Sequence, residues 1–298
     1  MPAFPPRFRR AALLPLLLAL AAGGCRGPAA GPPPRQIRLV GAVAGFPFAT
    51  ALAEQVARSS PEAIAPLARA TGNEAGIAAF CAGKDAPALL LTTRPIAPAV
   101  RARCRGGRLL ALPFGWTAPV LVPGAAAPAP ALTADRLRSA ITGAAARWSD
   151  IDPALPGAAI ALIGPAAPEE VLPGLGAPRR DGRYRAQPAD MRLVLAALAT
   201  APNALALLPY ADAARAGRAP LPLAGIAPDP AAIAAGRYPR VPLLLYVHAR
   251  DVARWPELRA ALRLFVAAME PGGLFAAKGL VPLDAPARRA VEGAVAKL

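Results

Sequence analysis

The chain has 298 residues, a formal net charge of +16 and 55% hydrophobic residues. That length carries one large domain or two lobes of ordinary size, and the apolar share allows a large core. The charge does not read as a nucleic-acid signal. Among 34 basic residues only Lys84, Lys278 and Lys297 are lysines, and the arginines are scattered without stacking aromatics beside them. With so much Ala, Gly and Pro, the arginine excess reads as codon bias. A positive surface could still steer small anions toward a cleft.

Arg7, Arg9 and Arg10 precede an apolar run from Ala11 to Ala22, followed by Gly23, Gly24 and Cys25. This is the layout of a secretory signal, and the run is shorter than the roughly 20 residues a bilayer span needs. Residues 1–24 are therefore expected to be a signal peptide and 25–35 a tether, Pro- and Gly-rich from Gly27 to Pro34. Cys25 fits two readings: an acylated lipoprotein N-terminus attached to the membrane, or an incidental residue beside an ordinary cleavage site. Either way the mature chain is expected to work outside the cytoplasm, periplasmic or membrane-anchored. No second long apolar run follows.

Strand and helix signals then alternate. Ile37 to Val43 reads as a strand, and Pro47 opens a helix with Phe48, Leu52 and Val56 on one face. A turn followed by a helix N-terminus points free N–H groups at an anion. Thr71-Gly72-Asn73 repeats that arrangement before Gly76 to Cys81. Ala88 to Leu91 is a strand running into Thr92-Thr93-Arg94, and Thr117 to Val122 is another. Thr133 caps a helix reaching Ile141, and Asp190 caps one ending before Pro202. Ala158 to Ile163, Ala204 to Leu208 and Pro242 to Val247 are further strands. Glu257 to Met269 and Ala287 to Ala296 are closing helices. The alternation predicts an α/β fold with largely parallel sheets.

Catalytic patterns are missing. There is no Gly-x-Ser-x-Gly elbow, no phosphate loop and no Gly-x-Gly-x-x-Gly. Ser59, Ser60, Ser139 and Ser149 are the serines, and His248 is the single histidine, ending a β-like run. His248 reads as structural, with no metal-ligand company. The adjacent Glu169 and Glu170 read as opening a solvated helix turn, not as an acid/base pair. No enzymatic activity, cofactor or metal is expected. Cys81 and Cys104 remain as an even pair in an oxidising compartment, where a disulfide is the default and two buried thiols the alternative.

Several segments together resemble the periplasmic phosphate-binding proteins of ABC transporters, a branch of the type 2 solute-binding fold. They are IRLVGAVAGFPFATALAE, TGNEAGIAAFCAG, WSDIDPALPG, TAPNALALLPY, AAIAAGRYPRVPLLLYV and KGLVPL, in the family's order over about residues 36–285. Each is weak alone; the six in order are specific. The resemblance implies two α/β lobes joined by two crossing strands near Trp116 to Val122 and Leu243 to Val247. Lobe one would be 36–117 with 243–298, and lobe two 118–242, both within a binding domain of 36–298. It also implies a Cys81–Cys104 disulfide, a small anion or other small solute held in the cleft, an inner-membrane permease as partner, hinge closure and a monomer.

The ligand loops depart from the family pattern. The first loop, Gly41 to Gly45, has no hydroxyl. Asn73 and Glu74 replace small residues in the second. Thr117 stands where the family carries an Asp. Ala166-Ala167-Pro168-Glu169-Glu170 replaces a hydroxyl-rich stretch with an Arg. What survives is Thr71, Gly72, Thr92, Thr93 and Arg94, with backbone donors near Gly45 and Phe46. With Asn73 and Thr117 these form the expected binding set, with Arg94 supplying charge and lobe two contributing little. Three or four lost bonds to a charged ligand remove roughly 5–10 kcal/mol. Three readings stay open: weak phosphate binding, a different solute, or an envelope interaction protein that binds none.

Overall fold

Short apolar strands separated by helices assemble into two distinct sheets. The computed structural model describes residues 35–60, 64–83, 85–104, 108–175, 177–188, 190–213 and 219–298. The signal peptide, Cys25 and the Gly27 to Pro34 stretch expected above lie outside the described residues.

The first sheet contains β1 (Arg38–Gly41), β2 (Leu67–Ala70), β3 (Leu89–Thr92), β4 (Leu109–Thr117) and β9 (Val241–His248). Their order is β2-β1-β3-β9-β4. The second sheet contains β5 (Pro119–Pro123), β6 (Leu162–Pro165), β7 (Tyr184–Gln187) and β8 (Leu205–Pro209), in the order β5-β8-β6-β7. Each sheet is the centre of one lobe of a two-lobed α/β fold.

The sheets are mixed, which corrects the expectation of largely parallel pairing. β1 pairs parallel with β2 and β3, and β6 with β7 and β8. β9 runs antiparallel to both β3 and β4, and β5 antiparallel to β8. The reason is connectivity. Parallel neighbours need a crossover. β4 instead passes through Ala118 straight into β5, so one extended run changes sheet. β9 then lies along β4 from Thr117↔Val241 to Leu109↔His248.

Local signals placed most elements to within a few residues. Helix α1 spans Phe46–Ser59 and buries Phe48, Leu52 and Val56, the stripe its spacing predicts. The Thr133 hydroxyl accepts from the Arg136 N–H at 3.2 Å, and Asp190 accepts from the Arg192 N–H at 2.9 Å. These are the caps read from sequence. β2, β7 and all of β4 before Thr117 were not legible. β2 and β7 have four residues each and mix apolar with basic or amide side chains, so only pairing with β1 and β6 defines them.

Packing fixes where α1 begins. Phe48 meets Phe114 and Phe275 edge-to-face, at ring distances of 5.8 and 5.6 Å. Such pairs contribute about 0.5–1.5 kcal/mol beyond area burial. Gly41 ends β1 at φ +136°, and a Cβ there would lie 1.8 Å from the Leu91 carbonyl oxygen. Only glycine allows that approach, so the chain turns tightly into a 3-10 turn, Val43–Gly45, ahead of α1. His248 is buried, its ring stacked on Phe80 at 4.8 Å. Among the described residues no helix is long and apolar enough to cross a membrane.

Candidate anion cradle between the lobes

Two helical starts converge at the C-terminal ends of β1 and β2. After β1 comes the turn Val43–Gly45; after β2, Thr71 and Gly72 lead into helix α2, Asn73–Cys81. Open α/β sheets present ligand sites at these strand ends. Neither start is capped by a side chain of its preceding residue. Ala42 has nothing to offer, and Gly72 adopts φ +81°. The first N–H groups of both turns therefore need an outside acceptor.

That acceptor is Glu170. The Val43 N–H donates to Glu170 Oε2 at 2.9 Å, and the Asn73 N–H donates to Glu170 Oε1. Glu170 ends a 3-10 turn, Pro168–Glu170, just after β6 in the second sheet. Its carboxylate thus reaches from the second lobe to two helical starts of the first. The residue is 2% exposed. A Cβ at Gly72 would lie 3.1 Å from Oε1, so this glycine leaves room for the carboxylate.

This overturns the reading of Glu170 as part of a solvated turn, while its neighbour Glu169 is exposed as expected. The sequence does hold a signal. An acid stands on the loop facing two helix N-termini, where partial positive charge attracts an anion. That complementarity points to the carboxylate as the anion.

Burial pushes the Glu170 carboxyl above the ordinary glutamate value. The N–H groups of Asn73 and Val43 act in the opposite direction, and the negative charges of Glu169 and Glu74 add to the rise. Desolvating a carboxylate costs several kcal/mol, whereas a hydrogen bond to a charged group returns about 1.5–3. The balance falls on the side of burial.

The other expected residues divide into braces and rim. The Asn73 amide donates to Thr93 Oγ1 at 2.8 Å, and the Thr93 N–H donates to Asn73 Oδ1 at 3.0 Å. Both residues are buried, and this double link joins the start of α2 to the loop after β3. The Thr92 hydroxyl donates to the Arg94 carbonyl at 2.8 Å. Arg94 pairs with Glu74, their side chains 43% and 82% exposed. Its charge is thereby matched at the rim rather than directed at the cradle. Thr71 is exposed, its hydroxyl 3.4 Å from the Gly72 carbonyl. Gly45 is buried at the end of the first turn and Phe46 half-buried at the head of α1. Thr117 is buried at the β4–β5 passage, and its hydroxyl makes no hydrogen bond among the described residues. Cys81 and Cys104 are disulfide-bonded, linking the end of α2 to the residue after helix Pro98–Arg103.

The PBP superfamily domain matches residues 27–169. Over that stretch the chain is similar to the PBP superfamily. The chain shares its fold with a structure described as a possible phosphate binding protein from Planctomyces limnophilus. That likeness has a TM-score of 0.66 and 19% identity, over 89% of this chain and 98% of the other. It also shares the fold with an ABC-type phosphate transport receptor from Vibrio cholerae, with a TM-score of 0.60 and 17% identity over 76% and 93% of the two chains. A phosphate binding protein from Stenotrophomonas maltophilia aligns with a TM-score of 0.60 and 13% identity over 87% and 93%. No curated protein matches the chain by sequence. Among its described residues no group of His, Cys, Asp and Glu could hold a metal ion.

Proposed function

We propose that this chain is an extracytoplasmic solute-binding protein of the phosphate ABC-transporter type, with weakened anion binding in the cleft between its lobes. The carrying observation is the pair of backbone donors, Val43 and Asn73, that meet at one point and already hold a carboxylate there. Such a cradle suits a small anion. The similar structures from Planctomyces limnophilus and Vibrio cholerae, which carry phosphate-binding names, support the same class. In this reading Thr71, Gly72, Asn73, Gly45 and Phe46 surround the cradle. Thr92 and Thr93 brace it, Arg94 lies at its rim and Thr117 at the hinge. The protein is exported, attached through an acylated Cys25, non-enzymatic and monomeric, and it delivers solute to an inner-membrane permease.

Glu170 sets the strength. A free anion entering the cradle must displace a carboxylate or lie beside one. We therefore expect phosphate to bind no tighter than the high-micromolar to millimolar range, roughly −4 to −6 kcal/mol. Calorimetry of the exported chain against phosphate, sulfate and a neutral sugar tests this. Weak heat with the two oxyanions and none with the sugar is the expected result. Sub-micromolar phosphate binding would refute the weakened site. The filled cradle also favours a second reading, an envelope interaction protein that takes no solute. Absence of binding by all three would select it.

A further inference from the structure

We propose that Glu170 is a resident ligand: its carboxylate fills the anion cradle from the second lobe and latches the cleft shut without solute. The proposal rests on reading this cleft as a solute site, and it adds what occupies the site and what must be displaced.

Three observations carry it. First, the carboxylate engages both donors at once, one oxygen to the Val43 N–H and the other to the Asn73 N–H. That is two-point capture of an oxyanion rather than a chance contact. Second, the two partners lie 127 and 97 positions from Glu170 in sequence, on turns that follow strands of the other sheet. The bonds therefore tie lobe to lobe, and either they or a displacing ligand must be present for both turns to be capped. Third, the surroundings accept a carboxylate in shape. Gly72 leaves the space beside Oε1, and Asn73 is held by Thr93 so that its N–H stays aimed. Arg94, on the loop after β3, is bonded to Glu74, and the N–H groups rather than a guanidinium receive the Glu170 charge.

A receptor whose lobes are held by ligand contacts closes when a ligand favours the closed form. Here the favouring group is covalently part of the chain, so closure is independent of supply. An added oxyanion competes with a tethered group present at an effective concentration on the order of millimolar, and removing that group should tighten phosphate binding about tenfold or more.

The test compares the exported wild-type chain with Glu170→Ala and Glu170→Gln, and with Glu169→Ala as the neighbouring control. Phosphate affinity is read by calorimetry and lobe closure by small-angle scattering. Acetate is the rescue probe, because Glu170→Ala removes one CH2–COO⁻ unit. The wild type and Glu169→Ala should be compact without solute, and neither phosphate nor acetate should change their radius of gyration. Glu170→Ala should be expanded, bind phosphate about tenfold tighter or better, and close again with phosphate or acetate. Acetate should compete with phosphate in the variant only.

Equal compactness and equal phosphate affinity in wild type and Glu170→Ala would overturn the latch. So would tighter phosphate binding in the wild type, which would make Glu170 a partner of phosphate and not its competitor. If Glu170→Ala does not fold, Glu170→Gln keeps the shape and loses the charge. Its phosphate affinity should rise, and phosphate binding that is measurable and equal in both chains overturns the proposal. The outcomes separate the latch from the reading beneath it. A variant that opens, recloses with acetate and takes no phosphate upholds the latch and ends the phosphate-receptor reading. Tight phosphate binding by wild type and variant alike upholds the receptor and ends the latch.

Discussion

The Asn73 N–H donates to the Glu170 carboxylate across 97 positions of sequence. The donor opens a helix in the first lobe and the acceptor ends a turn in the second. The Val43 N–H meets the same carboxylate at 2.9 Å. One buried side chain thus caps two elements at once and joins the lobes. Three measurable consequences follow from this site and its supports.

The first concerns pH. Burial holds the Glu170 carboxyl above its ordinary value of 4.5 against the pull of the Asn73 and Val43 N–H groups, with Glu169 and Glu74 adding to the rise. Between 4.5 and the raised value, the folded chain binds this proton more tightly than the unfolded chain does. The group's contribution to stability is then fully present below about 4.5 and is lost as pH rises through the folded value. Glu170→Gln does not titrate there. The stability of wild type relative to Glu170→Gln should therefore fall from pH 4.5 to pH 8 in paired urea titrations. A relative stability that rises with pH would show that the two N–H donors outweigh burial.

The second concerns the disulfide. Cys81 and Cys104 are 23 positions apart, and closing a loop of that size stabilises by about 3.5 kcal/mol in the chain-entropy account. Reduction, or Cys81→Ala, should lower unfolding stability by a few kcal/mol. The bond lies at the far end of α2 from Asn73, so phosphate affinity should change little while the chain stays folded. Full thiol titration of the native oxidised chain, with Cys25 replaced, would contradict the pairing.

The third separates rim from brace. Arg94 and Glu74 form an exposed pair, and such pairs contribute little. Arg94→Ala should cost about 0.5 kcal/mol or less. Asn73→Ala strips the buried Thr93 N–H and hydroxyl of their partner, an expected loss of about 1–3 kcal/mol. Denaturant melts of both variants give the comparison. A larger loss from Arg94→Ala would place that guanidinium in the site rather than at its edge.

Much of the fold was legible because its signals are local. The Phe48, Leu52 and Val56 stripe needs only helical spacing, and Thr133 and Asp190 act on N–H groups two or three residues away. Strands β2 and β7 were hidden because four mixed residues specify nothing until a neighbour pairs with them. The antiparallel entries of β5 and β9 were hidden for a related reason: strand direction within a sheet depends on where a connection lands.

The site divides the same way. Sequence alone determined that Thr71-Gly72-Asn73 opens a helix, that the first loop lacks hydroxyls, and that Ala166 to Glu170 carries no hydroxyl. It did not determine where Glu170 points. Taken alone, an acidic pair on a short turn is most stable in water, and the sequence reads it so. Only the tertiary structure sets two uncapped helical starts opposite that turn. The cost of burying the carboxylate is then met in part by N–H groups that would otherwise lack an acceptor, a balance between residues far apart in the chain that no local pattern records.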